Sequence, residues 1–182
     1  MPEISLNILD VAQNSVTAGS ALTEIGMAAD TAADTLTVTV KDNGRGMTPE
    51  QVERVTDPFF TTRTTRSVGL GVPFFKMAAE LTGGSFKIES TLGVGTTTTA
   101  VFGLSHIDRM PMGDIAGTMT ALIGPNPDID FILRYSVDGR GFVLDTREMR
   151  EILEGLPLSE PAVLSYAADY INENIAEVGE HF

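Results

Sequence analysis

Most of this chain's capacity for chemistry sits in a few short clusters within its first hundred positions. Asp10 and Asn14 stand four residues apart, so on a helix both side chains point the same way. A carboxylate beside a carboxamide offers hard oxygen donors, which suit a magnesium ion that takes one or two protein ligands and keeps its waters. A solvated helix face has the same appearance. Asp42-Asn43-Gly44-Arg45-Gly46-Met47 can set an aspartate to accept a hydrogen bond from an exocyclic amine, with glycines that let backbone approach a flat ring; a plain turn is the alternative. In Asp57-Pro58-Phe59-Phe60-Thr61-Thr62-Arg63, two aromatics in a polar stretch call for burial. The hydroxyls and guanidiniums of Thr61, Thr62, Arg63 and Arg66 suit phosphate oxygens. Gly69-Leu70-Gly71-Val72 opens an apolar run, where free backbone amides and the helix dipole favour an anion.

The elements that must position these clusters follow from periodicity. Ile4, Ile8, Val11 and Ser15 keep helical spacing over 4–18, with Gly19 as the stop. Strands are predicted over 21–28 and 35–41, the second alternating and β-branched. Thr48-Pro49-Glu50-Gln51 has the composition of a helix start, and the helix runs to about 55. Residues 57–68 have no period and read as a loop. A helix over about 70–82 ends at Gly83-Gly84. Strands over 85–90 and 96–104 flank a turn at Leu92-Gly93-Val94-Gly95. Beyond these come a helix over about 112–123, a hairpin of 130–137 and 141–145, and helices over about 146–154 and 159–177. The predicted class is α+β, a two-layer sandwich with a mixed sheet covered on one face by helices.

Composition narrows the functional classes. With 182 residues and 42% apolar content, the chain can build a sizeable core. It has no cysteine, so thiolate metal sites and thiol nucleophiles are excluded, and its two histidines leave little for a histidine metal cluster. No basic-then-apolar start reads as a signal peptide, no apolar run is long enough to cross a membrane, and a cytoplasmic location is expected. The net charge of −13 repels nucleic acid and anionic lipid.

Taken in order, the clusters resemble the GHKL superfamily of gyrase, MutL-type repair proteins, histidine kinases and anti-sigma kinases. Asp10–Asn14 is similar to the N box, Asp42–Gly46 to the first glycine box, Asp57–Arg63 to the F box and Gly69–Gly71 to the second glycine box; Asn14-Ser15-Val16-Thr17-Ala18-Gly19 is closest to the MutL form. The resemblance covers 4–104. It divides the chain into an ATP-binding domain over 1–104, of the Bergerat type, and a C-terminal extension over 105–182 of unknown role. It implies ATP and Mg2+ as cofactors. Asn14 would ligate magnesium with Asp10 beside it, Asp42 would meet the adenine amine, and Gly44, Gly46 and Met47 would let the base in. Phe59 and Phe60 would anchor a lid over 61–68, Thr61, Thr62 and Arg63 would meet phosphate, and the amides of Gly69, Leu70, Gly71 and Val72 would hold the phosphates. Thr97 would lie near the base.

Two departures shape the functional expectation. Hydrolytic relatives carry glutamate where this chain has Asp10, one methylene shorter, so slow turnover at most is expected. Ser105-His106-Ile107-Asp108-Arg109-Met110-Pro111 resembles the phosphoacceptor box of histidine kinases, but it follows the ATP-binding segment instead of preceding it. A strand end, a turn and a helix start at Pro111 is the preferred reading of these residues. The expected function is an ATP- and magnesium-binding ATPase or kinase module that acts on a separate protein partner by hydrolysis or phosphotransfer. The alternative is a non-enzymatic switch whose lid ordering controls partner binding. The stripe Met149, Ile152, Leu153 and Leu156 either packs inside the chain or serves a homodimer.

Overall fold

The computed structural model describes residues 2–59 and 70–179. The order of elements is helix α1 (Ile4–Thr17), strands β1 (Leu22–Asp30) and β2 (Thr35–Asp42), helices α2 (Pro49–Thr56) and α3 (Gly71–Leu81), strands β3 (Ser85–Thr91) and β4 (Gly95–Gly103), helix α4 (Ile115–Ile123), strands β5 (Asp130–Val137) and β6 (Arg140–Asp145), and helices α5 (Thr146–Leu153) and α6 (Pro161–Val178). The strands form one mixed sheet in the order β3-β4-β2-β1-β5-β6. Among the described residues, the β1–β5 pairing is the one parallel pair.

Alternation assigns the faces of this sheet. Ile25, Met27 and Ala29 of β1 pair with Val40, Val38 and Leu36 of β2, and with Leu133, Tyr135 and Val137 of β5. All nine are buried and belong to one core. Helices α1, α3, α4 and α6 pack on this side, and Ile4, Ile8, Val11, Phe75, Met119, Leu122 and Ile171 fill the space between the layers. The opposite face carries Glu24, Thr37, Thr39, Lys41, Thr97, Thr99 and Arg134, as the register requires. The fold class is therefore the expected α+β sheet with helices on one face.

Local chemistry fixes the helix ends. The Thr48 hydroxyl accepts from the Gln51 amide, and the Gln51 side chain accepts from the Thr48 amide, a full capping box on α2. Helix α1 has no side-chain cap. Its first amides, of Ile4 and Ser5, instead donate to the carbonyls of Pro111 and Met112 at 3.0 and 2.9 Å. Helix α4 begins at Ile115, later than the periodicity predicts, because Asp114 caps it by accepting from the Gly117 amide.

The boundary at 104 marks where the sequence resemblance stops, and the sheet continues across it. Strand β5 runs beside β1 over its whole length, and the Thr118 hydroxyl donates to the Ser5 carbonyl at 3.0 Å. Of the predicted apolar stripe, Met149 is buried, Leu153 is half-buried, and Ile152 and Leu156 are exposed.

Candidate functional site

The site begins with one flank of α1. The stripe Ile4, Ile8, Val11, Ala12 and Ser15 turns to the core, which leaves Asp10 and Asn14 side by side at its margin. Asp10 is exposed on its outer side and Asn14 is half-buried. Gly71, at the start of α3, lies against this flank: a Cβ built on it would stand 2.8 Å from the Cβ of Asp10. The first residue of α3 thus needs to be glycine for the two helices to approach so closely. Val72 turns inward and is buried, and the Leu70 carbonyl accepts from Phe74 to start the helix.

The neighbouring protein pushes the Asp10 carboxyl above its ordinary value by stripping water from it. The sign of the linked effect follows. The folded chain holds this proton to higher pH than the unfolded chain, so the Asp10 contribution to stability is lost as pH rises through the carboxylate range. Asp10→Asn is therefore expected to leave the melting temperature at neutral pH equal to or above that of the wild type, with no loss at lower pH; thermal melts across pH check this.

The second group lies at the end of β2. The Ser15 hydroxyl donates to Asp42 Oδ2 at 2.7 Å, and the Gly44 amide donates to Asp42 Oδ1 at 2.9 Å. The carboxylate is held by two donors, one from the helix that carries Asn14 and one from the glycine turn. The turn itself is pinned to that helix, since the Arg45 amide donates to the Ala18 carbonyl at 3.0 Å. A Cβ on Gly44 would stand 2.8 Å from that same carbonyl oxygen. Met47 donates its amide to Ser90 Oγ at 2.8 Å, which ties the loop to β3. Asn43 has a structural job, with Oδ1 accepting from the amides of Ala21 and Leu22 at the start of β1.

Gly46 has φ +72°, and a Cβ there would run into the backbone carbonyl of Thr91. Gly46→Ala should cost on the order of 3 kcal/mol, the sum of a left-handed penalty of about 1–2 kcal/mol and the displacement of the β3–β4 turn. For a chain of this size that is roughly a 10 °C drop in melting temperature. Calorimetry against the wild type reads it directly.

Thr97 lies on the opposite face of the sheet from Asp42. It pairs with Lys41 and Glu89, whereas Thr96 pairs with Asp42 and Thr98 with Val40. Alternation therefore puts the Thr97 side chain on the open face and puts Thr96 and Thr98 on the face of Asp42. Thr96 and Thr97 both line the groove that opens at this end of the sheet. Thr96 Oγ1 shares a hydrogen bond of 2.7 Å with Ser90 Oγ, and Thr98 is buried. Four consecutive threonines carry no phase of their own, so the sequence could not make this distinction. Ser15 was missed as a site residue, though its place one turn past Val11 on the inner face of α1 was visible.

A groove of about 870 Å³ opens at this end of the sheet, walled in part by Asp42, Pro49, Val52, Ile88, Ser90 and Thr96. Its lining also includes Glu24, Lys41, Glu89 and Thr97, so apolar side chains that can face a flat ring stand beside charged groups that can orient it. Asp10 and Asn14 are not among its described walls. They lie on the flank of α1 that meets the start of α3 at Gly71.

Phe59 is 80% exposed, with its amide donating to the Asp57 carboxylate at 2.9 Å. Phe60, Thr61, Thr62, Arg63 and Gly69, with the lid over 61–68, lie outside the described residues. Among the described residues no group of three or more His, Asp or Glu is placed to hold a metal. The oxygen donors of Asn14 and Asp10 fit a magnesium ion bound chiefly through phosphate and water. His106 sits at the other end of the sheet: the Leu104 amide donates to the Asp34 carbonyl, and Ser105 donates to the Asp34 carboxylate. Asp34 and Asp42 bracket β2, so roughly 25 Å of strand, at about 3.3 Å per residue, separates this histidine's region from the pocket.

Comparison with known proteins places these observations. The sequence profile of the histidine kinase-, DNA gyrase B- and HSP90-like ATPases matches residues 3–106. The sensor protein SrrB of Staphylococcus aureus (strain NCTC 8325 / PS 47) is 33% identical over 102 residues, which is 53% of this chain and 17% of that protein. A protein of Shewanella frigidimarina (strain NCIMB 400) named as a sensor is 39% identical over 72 residues, 39% of this chain and 11% of that protein. The chain thus spans less than a fifth of the curated relatives it matches. Among solved structures, the Aquifex aeolicus MutL ATPase domain complexed with ADP matches with a TM-score of 0.49 at 15% identity, over 85% of this chain and 69% of that one.

Proposed function

This chain belongs to the family of histidine kinase-, DNA gyrase B- and HSP90-like ATPases, and from that membership we propose that it binds ATP with magnesium and acts on a separate protein partner by slow hydrolysis or phosphotransfer. The observation that carries the reading is the junction of three clusters far apart in sequence. Asp10 touches Gly71, and Asp42 is held by Ser15 and Gly44. A base at Asp42 and phosphates at the start of α3 would span these two points, with Asn14 between them on α1.

In this reading Asp42 accepts from the amine of adenine, and Val52 and Ile88 flank the ring. The free amides at the start of α3 meet the phosphates. Asn14 supplies an oxygen to magnesium, which when bound offsets phosphate charge. The Asp10 carboxylate stands where it can take a proton from an attacking hydroxyl or water. The net charge of −13 favours a protein partner over nucleic acid, whose phosphates it repels.

The test uses the purified protein with γ-labelled ATP and magnesium, scoring nucleotide binding, free phosphate and label on protein. Binding by the wild type, lost in Asn14→Ala when magnesium is present, with turnover abolished in Asp10→Asn, supports the reading. Absence of nucleotide binding overturns it. The shortened carboxylate at Asp10 also supports a second reading, a non-enzymatic switch in which ATP changes the surface offered to a partner. Binding with no turnover above background selects it.

A further inference from the structure

An asparagine within a helix ordinarily turns its amide to water or onto a backbone carbonyl of the preceding turn. Asn7 of α1 does neither with its oxygen: Oδ1 is buried and has no hydrogen-bond partner, and it is the one such side-chain atom found among the described residues. A buried acceptor without a donor costs free energy and is uncommon in native proteins, where strain, a catalytic role or a bound water accounts for it. Asn7 also has a particular place. It lies three residues before Asp10, which abuts Gly71 of α3, and seven before Asn14, so the three share one side of α1. It is the member farthest from Asp42, beyond the point where the last phosphate of a nucleotide would meet Asp10.

We propose that Asn7 positions the nucleophile, its carboxamide oxygen accepting a hydrogen bond from a water held between it and Asp10 for attack on the terminal phosphate. This deepens the ATP-binding reading and rests on it. Helical neighbours three apart have Cβ atoms about 5–6 Å from each other, a gap that one water bridges. The terminal torsion of an asparagine is soft, so Oδ1 can swing toward that water without moving the helix. In the step itself the water oxygen forms a bond to the γ-phosphorus. The bond from that phosphorus to the β–γ bridging oxygen breaks, and its electron pair leaves with ADP. The water's proton passes to the Asp10 carboxylate. With one hydrogen bonded to Asn7 and the other to Asp10, the water presents a lone pair to phosphorus.

The test compares wild type, Asn7→Leu, which keeps the size and removes the acceptor, and Asn7→Asp, which keeps an acceptor oxygen. Each is scored for melting temperature, affinity for a fluorescent ATP analogue, and release of phosphate from ATP. Asn7→Leu is expected to lose roughly 10- to 100-fold in turnover, the scale of a misplaced reactant. Its analogue affinity should stay within about twofold and its melting temperature should not fall, because an unmatched buried oxygen has been removed. Asn7→Asp should keep turnover within about threefold of wild type on the same acceptor argument. Wild-type turnover in Asn7→Leu overturns the proposal, as does a loss shared equally by Asn7→Leu and Asn7→Asp. If Asn7→Leu does not fold, Asn7→Ala takes its place under the same criteria. A wild type that binds the analogue but releases no phosphate overturns the proposal and leaves nucleotide binding standing, whereas a wild type that binds no analogue removes both.

Discussion

A fragment ending at residue 104 is expected not to fold. Its circular dichroism should lack a cooperative melt, and its backbone amides should show no slow exchange, although it contains every cluster that resembles the nucleotide-binding family. The reason is the position of β1. In the whole chain β1 is an inner strand, paired with β2 on one side and with β5 on the other from Leu22 to Ala29. Removing β5 strips that entire edge, and a bare hydrophobic edge is prone to pair with other chains. The layer above suffers as well. About half of the buried core residues lie beyond Leu104, among them Met119, Leu122, Phe131, Leu133 and Tyr135, and α4 packs on α1. The first two amides of α1 also lose their acceptors, the carbonyls of Pro111 and Met112.

The magnitudes decide the outcome. Burial of a large apolar side chain contributes about 1.5–3 kcal/mol, while a domain's whole margin is roughly 5–15 kcal/mol. Uncovering four or five side chains, such as Ile25, Met27, Ile4 and Ile8, removes a margin of that size. A cooperative melt for the fragment would show that β1 tolerates an open edge and that 105–182 is a separable unit.

Several parts of this architecture were legible in the sequence because the signal was local. The amphipathic period of α1 put Asp10 and Asn14 on one flank, and β2 was marked by alternating threonines and valines that end at Asp42. The capping box of α2 was half visible as Thr48-Pro49-Glu50-Gln51. Other parts were not local. The pairing of β5 with β1 joins segments about a hundred residues apart, and a parallel partner leaves no turn between the strands to betray it. The sole hint was the run Phe131-Ile132-Leu133, apolar on both faces as inner strands are; all three residues are buried. The phase of Thr96–Thr99 was hidden for a related reason. It is set where Gly95, at φ +143°, packs on the backbone of Asp42, a contact between β4 and β2 that no threonine run records.

Asp42→Asn is expected to weaken ATP binding by roughly 10- to 100-fold while leaving the protein folded, as titration calorimetry and thermal melts would report. The substitution keeps shape and removes charge, so its effect falls on electrostatics and hydrogen bonding and not on packing. Around Asp42 two groups already donate, the Ser15 hydroxyl and the Gly44 amide. A carboxylate has about four acceptor sites and can serve both and an exocyclic amine besides. An asparagine has one acceptor oxygen, and its NH2 must face Ser15, Gly44 or the base. The serine can turn to accept; the glycine amide and the amine cannot. The amine then meets either a donor or the second lone pair of a neutral oxygen already shared with Gly44, and a hydrogen bond to a charged group is worth about 1.5–3 kcal/mol, which corresponds to the stated loss in affinity at about 1.4 kcal/mol per tenfold. The same geometry predicts a change in selectivity. Guanine carries a carbonyl where adenine carries its amine, so the wild type should reject GTP, and Asp42→Asn, which can turn an NH2 toward that carbonyl, should narrow the preference for ATP. Unchanged affinity for both nucleotides in Asp42→Asn would place the base elsewhere along the groove, away from the end of β2.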